Sequence, residues 1–117
     1  MSKYFIISFS LILWFSSCTK EAIITSDCTG VTPTYTDDIK AIMDASCAYS
    51  GCHSAASKRD GIDLSTYAKV TSESKKNRFL GSIQHLSGYK RMPENASKLS
   101  DDTIQKIYCW IENGNPE

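Results

Sequence analysis

The sequence has no surplus of either charge, little glycine or proline, and only 2 histidines. Its 117 residues include 13 basic and 13 acidic side chains, 6 glycines and 3 prolines. Because no excess of Lys or Arg is present to displace counterions from phosphates, the composition argues against nucleic-acid binding. The low glycine and proline content excludes a collagen-like chain, and the 41% hydrophobic content excludes a disordered one. One small globular domain remains.

The amino terminus has the three parts of an export signal. Lys3 supplies the positive charge, residues 4–15 form an apolar run, and Ser16-Ser17-Cys18 supplies small residues. A helix of that length spans roughly 18 Å, well short of the roughly 30 Å hydrocarbon core, so we expect cleavage rather than a membrane span. The rest of the chain is then exported into an oxidising compartment.

The end of this signal resembles that of bacterial lipoproteins, which are cut just before an acylated cysteine. Cys18 matches that cysteine, and Ser17 matches the small residue before the cut. The resemblance implies a lipoprotein signal peptide over residues 1–17 and a protein anchored to the membrane by lipid on Cys18, facing the periplasm or the cell surface. The alternatives are an ordinary cleaved signal, with Cys18 free or disulfide-bonded, and a short uncleaved anchor.

The mature chain divides into a tether and a domain. Residues 18–34 combine the lipidated cysteine with a polar stretch that has no hydrophobic period, which predicts a flexible tether. Residues 35–117 form the predicted domain. Since about 85 residues bury only a small core, we expect a cross-link or a cofactor to stabilise it.

The domain is predicted to be all-α. The first helix has Thr36 as its N-cap, and the last has Ser100 as its N-cap and ends at Asn113-Gly114. Residues 65–70 and 78–86 predict shorter helices, and no alternating pattern of a strand is present. The apolar positions at helical spacing are Ile39, Ile42 and Met43 in the first helix and Ile104, Ile107, Tyr108 and Ile111 in the last.

The clearest chemical pattern is a cysteine pair followed directly by histidine, Cys47 and Cys52-His53. In c-type haem attachment, two such thiols add to the vinyl groups and the adjacent imidazole becomes the proximal iron ligand. The usual spacing is C-x-x-C-H, whereas this sequence has C-x₄-C-H, so the two further residues must bulge out. Gly51 makes that detour easier. The alternative is a small disulfide loop between Cys47 and Cys52.

Met92 is the candidate for a second iron ligand. Pro93 biases its backbone towards an extended conformation, which can present the thioether inward. Methionine opposite histidine suits low-spin, six-coordinate iron. The alternative is that Met92 fills a gap in the core. Met43 is expected in the core, and His85 is expected in solvent, with distal ligation as its alternative.

From Tyr35 to Gly114 the chain resembles the small monohaem cytochrome c domains of exported, lipid-anchored bacterial proteins. The resemblance implies an all-α, cytochrome c-like fold with crossing N- and C-terminal helices around a haem crevice. It implies one haem c attached to Cys47 and Cys52, with His53 as proximal and Met92 as distal ligand. The residues that carry it are Asp38-Ile39-Lys40, Ile42, Cys47, Cys52-His53, Gly61-Ile62-Asp63-Leu64-Ser65-Thr66-Tyr67, Met92-Pro93, Leu99-Ser100, Ile107, Trp110-Ile111 and Asn113-Gly114.

The implied function is electron transfer with an unidentified redox partner rather than catalysis, because Met92 fills the sixth iron position. Tyr67 and Trp110 are candidates to pack on the haem, and Lys90 and Arg91 are candidates to face its propionates or the redox partner. The alternatives for these four residues are core aromatics and solvated charges.

Cysteine parity makes a separate prediction. If Cys18 carries lipid and two cysteines carry haem, Cys28 and Cys109 remain to form a disulfide. Pairing of Cys47 with Cys109, or with Cys52, would instead remove the haem site. Two further classes stay open: a lipid-anchored, disulfide-stapled binding module without haem, and a zinc site formed by Cys47, Cys52, His53 and Cys109.

Overall fold

The computed structural model describes residues 19–117, in which all regular structure is helical. The all-α prediction is confirmed for this part of the chain. The predicted signal peptide over residues 1–17 and the predicted lipidation of Cys18 lie outside the described residues. The helices are α1 (Lys40–Ser46), α2 (Tyr67–Ser74), α3 (Asn77–Ile83) and α4 (Asp101–Glu112), with a π-helical turn at Tyr35–Ile39 and a 3₁₀ turn at Arg59–Gly61.

The π-helical turn leads directly into α1 and begins before the predicted N-cap. The Thr34 hydroxyl accepts a hydrogen bond from the N–H of Asp37 at 3.2 Å, and the Asp38 carboxylate accepts one from the N–H of Thr34 at 3.1 Å. The prediction of Thr36 as N-cap is therefore wrong. In an ordinary capping box, the side chain that accepts from the N-cap N–H belongs to the third residue after the N-cap. Here it belongs to Asp38, the fourth residue after Thr34, because the first turn is wide: the Thr34 carbonyl also accepts from the N–H of Ile39.

The two short helices exist, but their ends differ from the prediction. α2 begins and ends later than residues 65–70, and α3 is shorter than residues 78–86. α3 ends early because His85 adopts a φ of +58° and the N–H of Leu86 donates to the Gly81 carbonyl at 3.0 Å. This is a Schellman motif, in which a left-handed residue, usually glycine, ends the helix.

α4 begins and ends where the sequence predicted. The Ser100 hydroxyl accepts from the N–H of Thr103 at 3.2 Å, and two aspartates follow it in the first turn, where carboxylates suit the positive helix end. Gly114, with a φ of +84°, follows the last turn at Asn113. Within residues 19–117 no helix, α4 included, is long and apolar enough to cross a bilayer.

The core forms where α4 packs against the turn that precedes α1. Ile39, Met43 and Trp110 are fully buried there, so Met43 belongs to the core as predicted. An ion pair of 3.0 Å between Lys106 and Asp38 joins the same two elements at the surface. These contacts hold the first and last helical segments together and leave the loops between them to form the site.

A disulfide joins Cys28 to Cys109 in α4, with their Cα atoms 5.4 Å apart. It confirms the pairing that cysteine parity predicted and excludes a bond between Cys47 and Cys109. Within residues 19–117 the two cysteines with free thiols are Cys47 and Cys52.

Residues 19–34, the described part of the predicted tether, contain no helix but contact the domain along their length. The N–H of Ile24 donates to Gln84 Oε1 at 2.9 Å, and Gln84 Nε2 donates to the Ile24 carbonyl at 2.7 Å. The N–H of Glu21 donates to the Ser87 carbonyl at 3.0 Å. The segment therefore lies against the domain at these contacts and again at the disulfide.

Candidate functional site

A cavity of about 280 Å³ lies between α3, the loop that joins α1 to α2, and the loop that follows α3. Cys47, Cys52 and His53 line it from the first loop, and Met92 lines it from the second. The structure thus brings the four residues predicted to hold a haem to one cavity. Its volume lies just below the roughly 300–1,000 Å³ typical of ligand pockets.

The two residues beyond the usual C-x-x-C-H spacing are taken up by a tight turn. The N–H of Cys52 donates to the Tyr49 carbonyl at 3.1 Å, and Gly51 in that turn has a φ of +83°. Glycine adopts a positive φ at this turn position without steric strain. With the turn closed, the N–H of His53 reaches the Cys47 carbonyl at 3.0 Å. Both cysteines therefore stay beside the histidine.

His53 is held by three hydrogen bonds and is only 7% exposed. Besides its N–H bond to Cys47, its carbonyl accepts from the N–H of Leu64 at 2.8 Å, and its Nδ1 lies 3.2 Å from the Ile62 carbonyl. Because a carbonyl only accepts, Nδ1 carries the hydrogen, and in the neutral ring Nε2 keeps its lone pair. This is the usual arrangement of a metal-binding histidine, whose second nitrogen donates to a carbonyl.

The two free thiols line the same cavity. Burial raises the pKa of Cys47 to about 11, and the neighbouring Cys52 adds to the rise. A hydrogen bond with the Cys52 side chain, together with its charge, raises the pKa of Tyr49. Cys47 therefore holds its proton more firmly than an exposed cysteine does.

The backbone of Met92 is held by hydrogen bonds to α3 and to the residue that ends it. Its N–H donates to the Ser82 carbonyl at 3.0 Å, and its carbonyl accepts from His85 Nε2 at 3.0 Å. His85 is half-buried and is not among the residues that line the cavity. The expectation of a solvated His85 is therefore wrong, and its ring instead bonds to the loop that carries Met92.

The cavity has an apolar interior and a charged rim. Leu64, Phe79 and Ile83 are buried side chains in its wall. At the rim Arg59 Nη2 lies 2.8 Å from Glu94 Oε2, and Lys90 Nζ lies 3.0 Å from Asp60. The hydrogen bond with Lys90 lowers the pKa of Asp60, and the same bond raises the pKa of Lys90. The rim thus carries balanced charge around an apolar space.

Some candidates from the sequence lie elsewhere. Trp110 and Tyr67 pack in or against the core, and neither lines the cavity, so their interpretation as core aromatics is the one that fits. Lys90 lines the cavity, whereas Arg91 does not. The residues that sequence reasoning missed are Lys20, Arg59, Phe79 and Tyr89, none of which belongs to a recognisable motif. It also gave no role to the carbonyl of Ile62, although Ile62 lies in a segment that carries the family resemblance.

The zinc alternative lacks its ligands. Cys109 is consumed by the disulfide, and among residues 19–117 no group of three or more His, Cys, Asp and Glu side chains is placed to hold a metal ion. A tetrahedral zinc site needs four such ligands, or three with water. The donor side chains at the cavity are instead one imidazole, one thioether and two thiols.

Comparison with protein-family models, with curated proteins and with solved structures finds no match for this chain.

Proposed function

We propose that this protein is a c-type cytochrome that carries electrons with one haem c in the cavity. Cys47 and Cys52 form the two thioether bonds, His53 is the proximal iron ligand and Met92 is the distal ligand. Each thioether forms by addition of S–H across a vinyl C=C bond, so attachment consumes no oxidant.

The observation that carries this proposal is the convergence of these residues on one cavity. Met92 is separated from His53 by the whole of α2 and α3, yet both line the same space. Cys47 and Cys52 are free thiols, as attachment requires, and the hydrogen on His53 Nδ1 leaves Nε2 available for ligation. The apolar wall suits the faces of a macrocycle.

The chain's own residues account for the expected redox behaviour. A bound haem supplies an iron that gains and loses one electron. His53 Nε2 donates a lone pair, and its bond to the Ile62 carbonyl fixes the ring. As a ligand, the Met92 thioether would raise the reduction potential relative to a second imidazole. With His53 and Met92 both holding the iron, no position would stay open for a substrate, so electron transfer rather than catalysis would be the function.

The packing of α4 against the turn before α1 supports the cytochrome c-like arrangement, in which the first and last helices of the domain at residues 35–117 cross beside the haem crevice. The Cys28–Cys109 disulfide fits an oxidising compartment outside the cytoplasm. We include in the proposal a signal peptide at residues 1–17 and a lipid on Cys18, which anchor the protein to the membrane facing the periplasm or the cell surface, where it meets its redox partner.

The second candidate function is a lipid-anchored binding module stapled by the disulfide and without haem. The Cys28–Cys109 bond is compatible with this function as well as with the cytochrome, since a disulfide stabilises a small domain without any cofactor. The visible absorption spectrum separates the two functions, since a disulfide module does not absorb there.

The test is to produce the full chain together with a cytochrome maturation system and to compare two methionine variants. Wild type is expected to show a reduced low-spin cytochrome spectrum. Met92→Ala is expected to give a high-spin or replacement-ligand spectrum, because the iron loses its thioether. Met43→Ala is the matched control: it removes a buried core methionine and costs about 2–5 kcal/mol of stability, but leaves the spectrum low-spin.

A colourless wild type from a host that matures other c-type cytochromes contradicts the proposal and favours the disulfide module. A haem-containing Met92→Ala protein with the wild-type spectrum contradicts the assignment of Met92 alone.

A further inference from the structure

The first described residues of the chain form part of the cavity wall. Lys20 lines the cavity, and its Nζ lies 5.0 Å from the centre of the Tyr89 ring, which lines it as well. A side chain at Gly88 would have no room, since an added Cβ would lie 2.8 Å from Lys20 Cγ. This close approach requires glycine at position 88 and packs the chain at Lys20 tightly against the cavity loop.

Residues 20–24, which we call the strap, are fastened to the domain at two places. Glu21 bonds to Ser87 in both directions: its N–H donates to the Ser87 carbonyl at 3.0 Å and its carboxylate accepts from the Ser87 N–H at 2.9 Å. Gln84 bonds to the N–H and the carbonyl of Ile24 at 2.9 and 2.7 Å. Gln84 is only 6% exposed, so this pair of bonds is shielded from water.

The strap shortens the distance between the cavity and the proposed lipid anchor at Cys18. A free tether over residues 18–34 would allow roughly 55 Å of extended chain between lipid and domain. Because Lys20 is already in the cavity wall, only two peptide units separate it from Cys18, and consecutive Cα atoms about 3.8 Å apart limit that distance to about 8 Å. The cavity wall at Lys20 therefore lies close to the lipidated residue, Cys18.

The side chains near this end of the chain suit a lipid surface. Ile24 on the strap and Tyr49 on the cavity wall are the large hydrophobic residues exposed within residues 19–117, at 56% and 46%. Tyrosine favours the membrane interface, and Lys20 provides a positive charge for anionic headgroups.

We propose that the strap and the cavity rim form a membrane-docking face, which lies against the lipid bilayer when Cys18 is acylated. This inference rests on the proposed function, since it takes the lipid and the haem from it. It restricts the redox partner to one that presents its own redox centre at the membrane surface. Because only two large hydrophobic side chains within residues 19–117 are exposed near this face, the short covalent link, rather than the face alone, holds this orientation.

The test measures how close the haem comes to the lipid headgroups. Lipidated, haem-loaded protein is bound to phosphatidylcholine and phosphatidylglycerol vesicles that carry a headgroup fluorophore whose emission haem absorbs. In one variant, ten Gly and Ser residues are inserted between Thr19 and Lys20, which adds a flexible span of roughly 17 Å. In the matched control the same residues are appended after Glu117, so that the total length is equal but the anchor distance is unchanged.

Wild type and the appended control are expected to quench the fluorophore at least twofold more per bound protein than the insertion variant. Equal quenching by wild type and the insertion variant overturns the claim that the short link between Cys18 and Lys20 holds the cavity rim at the bilayer, and with it the proposed orientation. Absorbance of the same samples identifies a chain without haem, which overturns the proposed function and the docking face together. Protein that carries haem but does not sediment with vesicles overturns the lipid anchor, and with it the docking face.

Discussion

At the scale of single residues, the site depends on two histidines that use their rings in opposite ways. His53 donates from Nδ1 to the Ile62 carbonyl, which leaves the lone pair of Nε2 free. His85 donates from Nε2 to the Met92 carbonyl and takes a position that usually requires glycine. A left-handed conformation costs a residue other than glycine roughly 1–2 kcal/mol, and the bond to Met92 offsets that cost.

His85→Gly separates these two effects. The substitution relieves the backbone strain but removes the bond to Met92, so we expect little net change in stability and a less firmly held thioether. In the haem-loaded protein, exogenous imidazole should then displace Met92 with about fivefold higher affinity, the equivalent of one lost hydrogen bond of roughly 1 kcal/mol. Spectral titration with imidazole measures it.

The matched control is Asn95→Gly. Asn95 also has a φ of +58° in the loop that follows α3, but it makes no bond to Met92. Its glycine variant should bind imidazole as wild type does. If both glycine variants change the affinity equally, loop flexibility rather than the His85 bond holds Met92.

The sequence predicted the candidate ligands but not the hydrogen bonds that hold them in place. Cysteine pairs beside histidine and a methionine before proline are visible as letters in a sequence. The hydrogen bonds from His53 to Ile62 and from His85 to Met92 join residues 9 and 7 positions apart, and they depend on how the loops close. Nothing in the local sequence specifies that closure.

At the scale of helices and loops, the junction between α2 and α3 depends on one buried carboxylate. Glu73 in α2 is 8% exposed; it accepts hydrogen bonds from Lys76 Nζ at 2.6 Å and from Arg78 Nε in α3 at 2.6 Å. Burial alone would raise the pKa of Glu73, but the two cations together hold it below its usual value near 4.5. The ionised form therefore stabilises the junction.

Glu73→Gln should weaken the domain in a pH-dependent way. Since the folded pKa lies below the unfolded one, the stabilisation is fully present above about pH 4.5 and is lost as the pH falls through the folded pKa. We expect the variant to lose about 1–2 kcal/mol of unfolding free energy at pH 7 and to approach wild type on acidification. Urea unfolding across this pH range measures it, with exposed Glu112→Gln as the control. A loss of the same size at every pH would contradict the assignment.

Helix types were easier to predict than helix ends. Ser100 and Gly114 marked α4 because both are standard capping residues. The end of α3 was missed because a histidine occupies the glycine position, and the start of the first segment was missed because a π-helical turn moved the cap to Thr34. In both places the chain departs from common capping chemistry.

At the scale of the whole molecule, the disulfide joins the segment before the domain to its last helix. The bond closes a loop with a sequence separation of 81 residues and places buried Cys109 against that segment. Without it, the chain between the strap and the domain would keep the packing of Val31 against the core and hydrogen bonds such as that from Gln105 to the Asp27 carbonyl at 2.6 Å.

Replacing both cysteines, with Cys28→Ala and Cys109→Ala together, should lower the unfolding free energy by about 4 kcal/mol. The loss arises because a disulfide that closes a loop of this length reduces the entropy of the unfolded chain. Denaturant unfolding with and without reductant measures the loss. Wild type in reductant should match the double variant, and the double variant should not respond to reductant. A wild type indifferent to reductant would contradict a stabilising role for this bond.

The overall organisation was only partly predictable. Cysteine parity indicated the Cys28–Cys109 pair once the other three cysteines were assigned, and hydrophobic periodicity indicated an all-α domain. The polar composition of residues 19–34 instead suggested a free tether. The contacts that hold this segment against the domain were missed, because contacts such as those of Gln84 with Ile24 join residues 60 positions apart. Long-range contacts of this kind leave no periodic pattern in the sequence.

The central claim is that haem is bonded covalently to Cys47 and Cys52 while Cys28 and Cys109 form a disulfide. Intact mass under denaturing conditions tests it most directly, with protein made alongside a cytochrome maturation system. We expect the mature chain with its lipid, the full mass of one haem and a gain of two hydrogens on reduction. A chain without haem mass that gains four hydrogens on reduction would show a second disulfide, between Cys47 and Cys52, and would contradict the account.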